Sequence, residues 1–122
     1  YIWQDRFYLD ADLTKFLYFG EYPELLHLYI PIELVDKWSQ VEDQMQAVME
    51  TYNLKIFSVS YTEATGWSFN TANKLQINLG SDLSLEVFQK LSLTLKYIFE
   101  KNLTPSIIDL RYKDGAALNY GK

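Results

Sequence analysis

One histidine, no cysteine and a few clustered aspartates are the reactive groups this 122-residue chain offers. Without thiols there is no disulfide and no thiolate metal site. His27 stands in an apolar stretch with no acid beside it in sequence, so no nucleophile–histidine–acid set can be built on it. Asp5, Asp10 and Asp12 are spaced closely enough to suggest hard-oxygen ligands for Ca²⁺. The run lacks the glycine and closing glutamate of a helix–loop–helix calcium site, and Asp10 and Asp12 read instead as turn residues. Gly80-Ser81-Asp82 precedes an apolar run, where free N–H groups could hold an anion. Asp82 would repel one, so Ser81 or Asp82 is expected to cap a helix there. No glycine-rich phosphate loop is present. Neither catalysis nor a cofactor is expected. Trp3, Trp38 and Trp67 could be stacking platforms, which would make the chain a peptidoglycan- or carbohydrate-binding module. Each lies in an apolar stripe or strand, so core packing is expected of at least two.

Composition narrows the class. Apolar residues are 48% of the chain, enough for one domain with its own core. Aromatics are 16%, with ten tyrosines, a bias toward β structure and interfaces. The net charge of −5 argues against nucleic acid, which needs a basic surface, and against anionic lipid. No apolar run is long enough to span a bilayer. The chain opens in a strand-like run, Tyr1-Ile2-Trp3, without methionine, so it is expected to be a fragment with further sequence upstream.

The positioning elements follow from periodicity. Ile2 to Phe7 and Lys15 to Phe19 are strand-like, with a turn at Asp10-Ala11-Asp12. Gly20 to Pro31 is expected to be a connection tucked onto the core by Leu25, Leu26 and Leu28. Glu33 to Tyr52 predicts a helix burying Leu34, Trp38, Val41, Met45, Val48, Met49 and Tyr52, with Asn53 as its stop. Phe57, Val59 and Tyr61, then Trp67 and Phe69, then Leu75, Ile77 and Leu79 alternate with polar residues, as in antiparallel strands with one wet face. A second helix runs to about Glu100 over the stripe Leu83, Val87, Phe88, Leu91, Leu95, Ile98 and Phe99. The sum is an α+β fold: a curved antiparallel sheet, two amphipathic helices on one face, and a C-terminal hairpin at the sheet edge.

That hairpin, Ile107 to Tyr120 with a turn at Lys113-Asp114-Gly115, carries the functional expectation. Its second strand ends almost where the chain ends, and an edge strand presents unpaired N–H and C=O groups. Gly115, Ala116 and Ala117 are small enough to admit a second backbone, while Tyr112 and Tyr120 flank them as aromatic anchors and Arg111 could meet an acid. The same segment could equally do no more than complete the sheet.

Ile108-Asp109-Leu110-Arg111-Tyr112 followed by Asp114-Gly115-Ala116-Ala117 resembles the terminal signature of the bacterial cell-division family FtsQ/DivIB. Leu75-Gln76-Ile77-Asn78-Leu79-Gly80 is similar to its LxLG strand. Phe7 to Phe16 looks like its vDxxGxvf hairpin, with Ala11-Asp12-Leu13 where the glycine motif runs. The resemblance implies a β domain spanning 1–122, preceded by a transmembrane helix and a polypeptide-transport-associated (POTRA) domain. It implies a non-enzymatic divisome scaffold in the periplasm, anchored in the inner membrane only by that upstream helix. The implied partners are FtsB and FtsL, with FtsB adding a strand to the last β-strand. Weak self-association through the same edge would be a second use of it, one the sequence leaves open. Arg111, Tyr112, Gly115, Ala116 and Tyr120 match the family's partner-binding positions, and Tyr120 stands where many members carry tryptophan.

Overall fold

The computed structural model describes residues 1–17, 25–113 and 115–120. The described strands are β1 (Ile2–Trp3), β2 (Phe7–Leu9), β3 (Lys15–Leu17), β4 (His27–Tyr29), β5 (Ile56–Thr62), β6 (Gly66–Thr71), β7 (Gln76–Gly80), β8 (Ile107–Asp109) and β9 (Ala117–Asn119). They form one sheet in the order β3-β2-β1-β4-β5-β6-β7-β8-β9. Helices α1 (Val35–Thr51) and α2 (Leu85–Glu100) share its apolar face, where Trp38, Met45, Leu91 and Leu95 close over Phe69 and Ile77. The α+β arrangement is the expected one. The sheet is less uniform: five ladders are antiparallel, but β1·β4, β4·β5 and β7·β8 are parallel.

The first departure lies at the N-terminus. Ile2 to Phe7 is not one strand. Gln4 and Asp5 take φ of 56° and 59°, and two successive left-handed residues reverse the chain into a hairpin. The turn at Asp10 is as expected: its Oδ1 accepts the N–H groups of Asp12 and Thr14, each at 2.9 Å. Leu13, which stands at the glycine of the hairpin motif, holds φ 60°, a conformation that glycine takes without cost. The expected strand at Lys15 to Phe19 is described only as far as Leu17, and residues 20–24 of the Gly20 to Pro31 connection lie outside the described residues. Its last part holds β4, a strand hidden from alternation because it is parallel to both neighbours and only Leu28 enters the core.

The first helix is met closely. A 3₁₀ turn at Ile32–Leu34 leads into α1, and Asn53, at φ 58°, ends it. In β5 the expected apolar face shifts: a bulge between Ile56 and Ser58 puts Ile56 in the core and leaves Phe57 45% exposed. The cap of α2 is neither Ser81 nor Asp82. Ser84 takes the extended N-cap conformation, and its Oγ accepts the Val87 N–H at 3.3 Å. Phe99, expected in the buried stripe, is exposed and stacks on Tyr52, with ring centroids 5.0 Å apart.

Two glycines clasp the sheet beside the chain's terminal loop. Gly66 has φ +78°, and a Cβ there would lie 2.2 Å from the Gly80 carbonyl oxygen. Gly80 itself has φ +98° and stands against the Cγ of Arg111. Close approach of two backbones is thus what shapes the end of the sheet from which β8 and β9 emerge.

Candidate docking edge

β9 pairs with β8 alone among the described residues, in the register Ile107↔Asn119, Ile108↔Leu118 and Asp109↔Ala117. The Asn119 carbonyl faces inward, accepting the Ser106 N–H at 2.8 Å and the Ser106 hydroxyl at 3.1 Å. Successive residues of an extended strand present their main-chain groups to opposite sides. The N–H and C=O of Leu118 therefore face the open side.

The strands are not joined by a tight turn. Register places residues 110–116 between them, so the connection is longer than the tight turn expected at Lys113-Asp114-Gly115, and Asp114 lies outside the described residues. Its start is held from inside the molecule. Leu110 is buried and donates its N–H to the Asn78 carbonyl at 2.8 Å. Arg111 closes a bidentate pair on Asp109, Nε to Oδ1 at 2.8 Å and Nη2 to Oδ2 at 2.7 Å, and its backbone N–H adds a third bond to Oδ1 at 3.1 Å. These bonds hold the Asp109 carboxyl below its ordinary range. The guanidinium is the main cause, burial opposes it, and the Arg111 backbone N–H and charge assist. The same pairing raises Arg111 further. From α2, the Lys90 ammonium donates to the carbonyls of Leu110, at 3.1 Å, and Tyr112.

Of the expected site residues, Tyr112 and Tyr120 are more than half exposed, and Arg111, Gly115 and Ala116 are exposed as well. All five lie on one loop–strand unit at the sheet's end. Arg111 differs from expectation in having a partner already, in its own chain. Sequence reasoning missed what lies behind the strand. A groove of about 520 Å³ separates β9 from α2, lined by Leu93, Tyr97, Leu118 and Ala116, with Lys90 and Lys113 among its charged residues. The signal was present: Leu85, Leu93 and Tyr97 fall off the buried stripe of α2, and all three are exposed.

The other candidates resolve differently. His27 does have an acid partner: its Nδ1 lies 3.4 Å from Asp5 Oδ1, which also accepts the Tyr29 hydroxyl at 2.8 Å. The left-handed turn at Gln4-Asp5 brings that carboxylate back over β4, a contact invisible in sequence. His27 is buried and stacks on Phe57 at 5.0 Å, which gives it a structural role. Trp38 and Trp67 are buried as expected, and Trp3 is spent on the Ile30 carbonyl at 2.7 Å. Trp3 is the one tryptophan left partly exposed, and the Lys15 ammonium lies 5.1 Å from the centre of its ring. Among the described residues no cluster of three or more His, Cys, Asp or Glu is placed to hold a metal, and no helix is long and apolar enough to cross a membrane.

No family model matches the chain. Among curated proteins it is similar to the cell division protein FtsQ of Aliivibrio fischeri, 28% identical over 88 residues. That match covers 72% of this chain and 33% of the relative, so the likeness concerns about a third of the curated protein's length. It supports a distant FtsQ-like relationship.

Proposed function

We propose that this chain is the β domain of a bacterial division scaffold, and that it captures FtsB, with its companion FtsL, by adding an FtsB strand to β9. The observation that carries the reading is the position of β9: the last described strand, at the end of the sheet, with the main-chain groups of Leu118 turned outward. The distant FtsQ likeness supports the division role. On this reading a transmembrane helix and a POTRA domain precede the domain in the full protein, which places it in the periplasm. The domain works by binding, without catalysis or cofactor.

Arg111, Tyr112, Gly115, Ala116 and Tyr120 are the proposed contact residues. Small side chains at 115 and 116 let a second backbone come within hydrogen-bond distance, and the exposed tyrosines cover its flanks. Lys90, Arg111 and Lys113 line this corner together with Glu63 and Asp82, and Arg111 is already paired with Asp109. Roughly two to four main-chain bonds at about 1 kcal/mol each, and one or two aromatic anchors at about 2 kcal/mol each, stand against a large association cost. Affinity in the micromolar range follows.

The test is titration of isotope-labelled protein with the periplasmic part of the FtsB–FtsL pair from the same organism. Amide signals between residues 111 and 120 should move while those of α1 stay in place. A pair that binds and leaves 111–120 unmoved, or fails to bind at all, overturns the reading.

A further inference from the structure

The edge that the proposed function needs is short. β8 and β9 are three residues each, and a pairing of that length with no neighbour beside β9 among the described residues is marginal. Residues 110–116 separate the strands, and a loop of that length allows many exit directions. Something must hold this one.

We propose that Lys90 is a positioning residue that holds β9 as a preformed edge; its role in docking rests on the reading above. Lys90 lies in the middle of α2, next to the fully buried Leu91, so its backbone is fixed by the core. Its ammonium donates to the carbonyls of both Leu110 and Tyr112. Asp109 grips the residue between them, Arg111, through three hydrogen bonds. Residues 109–112 are thereby held by two sets of bonds ahead of β9. Glu86 stands one helical turn before Lys90 and lines the same groove, yet the ammonium is directed at the loop carbonyls. Charge-assisted bonds to main-chain carbonyls are stronger than neutral ones. Ordering the edge during folding removes that cost from the binding step.

The experiment uses Lys90→Met, which keeps the length of the side chain and removes the charge and donors, with Lys90→Gln as a second variant and Lys90→Arg as the conservative one. Amide hydrogen exchange is measured first on the free 122-residue chain. The Met and Gln variants should speed exchange at Ala117 and Asn119, whose N–H groups face β8, by about tenfold or more while α1, β5 and β6 stay protected, and the Arg variant should restore most of the protection. Affinity for the FtsB–FtsL pair should fall roughly tenfold in the Met variant, about 1.4 kcal/mol. Unchanged exchange at Ala117 and Asn119, or faster exchange spread evenly over the whole domain, overturns the proposal. So does local loosening in a variant that binds FtsB–FtsL as tightly as wild type. Failure of the wild-type chain to bind the pair, with exchange at Ala117 and Asn119 still raised by the Met variant, refutes the docking reading and leaves Lys90 as the residue that sets the edge.

Discussion

Asp109 and Arg111 form a two-point ion pair across a single intervening residue, with both carboxylate oxygens and two guanidinium nitrogens engaged at 2.7–2.8 Å. The acid is buried and the base is exposed. The pair therefore sits at the boundary between the sheet and the loop that feeds its last strand. Arg111, a proposed contact residue, thus also shapes its own loop.

A pH dependence follows from that pair. The Asp109 carboxyl is depressed in the folded state, chiefly by the guanidinium bonds. Its contribution is complete above the unfolded value, about 3.9, and is lost as pH falls through the folded value. Thermal unfolding followed from pH 7 to pH 2 should show stability falling below about pH 4. Asp109→Asn should flatten that decline and lower the midpoint at neutral pH by about 5 °C. An identical acid profile in the variant would remove Asp109 from the account.

The glycine clasp predicts an asymmetry. Gly66→Ala forces a methyl into the Gly80 main chain at a positive φ, and should cost about 3 kcal/mol or more. Gly80→Ala meets only the Arg111 stem at 3.5 Å, so its cost is the backbone strain, about 1–2 kcal/mol. Denaturant midpoints of the two variants give the comparison, and equal midpoints would contradict it.

Capping separates two neighbours that look interchangeable in sequence. Ser84→Ala should lose about 1 kcal/mol, because the Val87 N–H is left without its acceptor. Asp82→Ala removes only an exposed contact with Lys37 at 3.8 Å and should change stability by less than about 0.5 kcal/mol. Urea unfolding of both variants is sufficient to tell them apart.

Binding predictions concern the strand itself. Tyr120→Ala removes an exposed ring and should weaken the FtsB–FtsL pair at least about tenfold with the melting temperature nearly unchanged. Ala116→Pro introduces a ring where a second backbone would lie, just before β9, with the same expected signature. Calorimetric titration of both, beside thermal melts, checks the pair of outcomes. Full affinity in both variants would rule out strand addition at β9.

Much of this molecule was written in its periodicities. The apolar stripe from Trp38 to Met49, the alternation of Leu75, Ile77 and Leu79, and the small residues at 115–117 depend only on local spacing, and local spacing determines which side of an element is apolar. Three features came only from packing. The parallel strand His27–Tyr29 could not be read because its partners lie far apart in the chain and its own residues do not alternate cleanly. The Asp5–His27 pair depends on two left-handed residues that the side chains there do not signal. Lys90 reached the site because α2 lies across the terminal loop, which brings residues twenty positions apart within hydrogen-bond distance. A chain specifies its elements through neighbours in sequence. Which charged group ends beside which carbonyl is decided when those elements bury their apolar faces against one another.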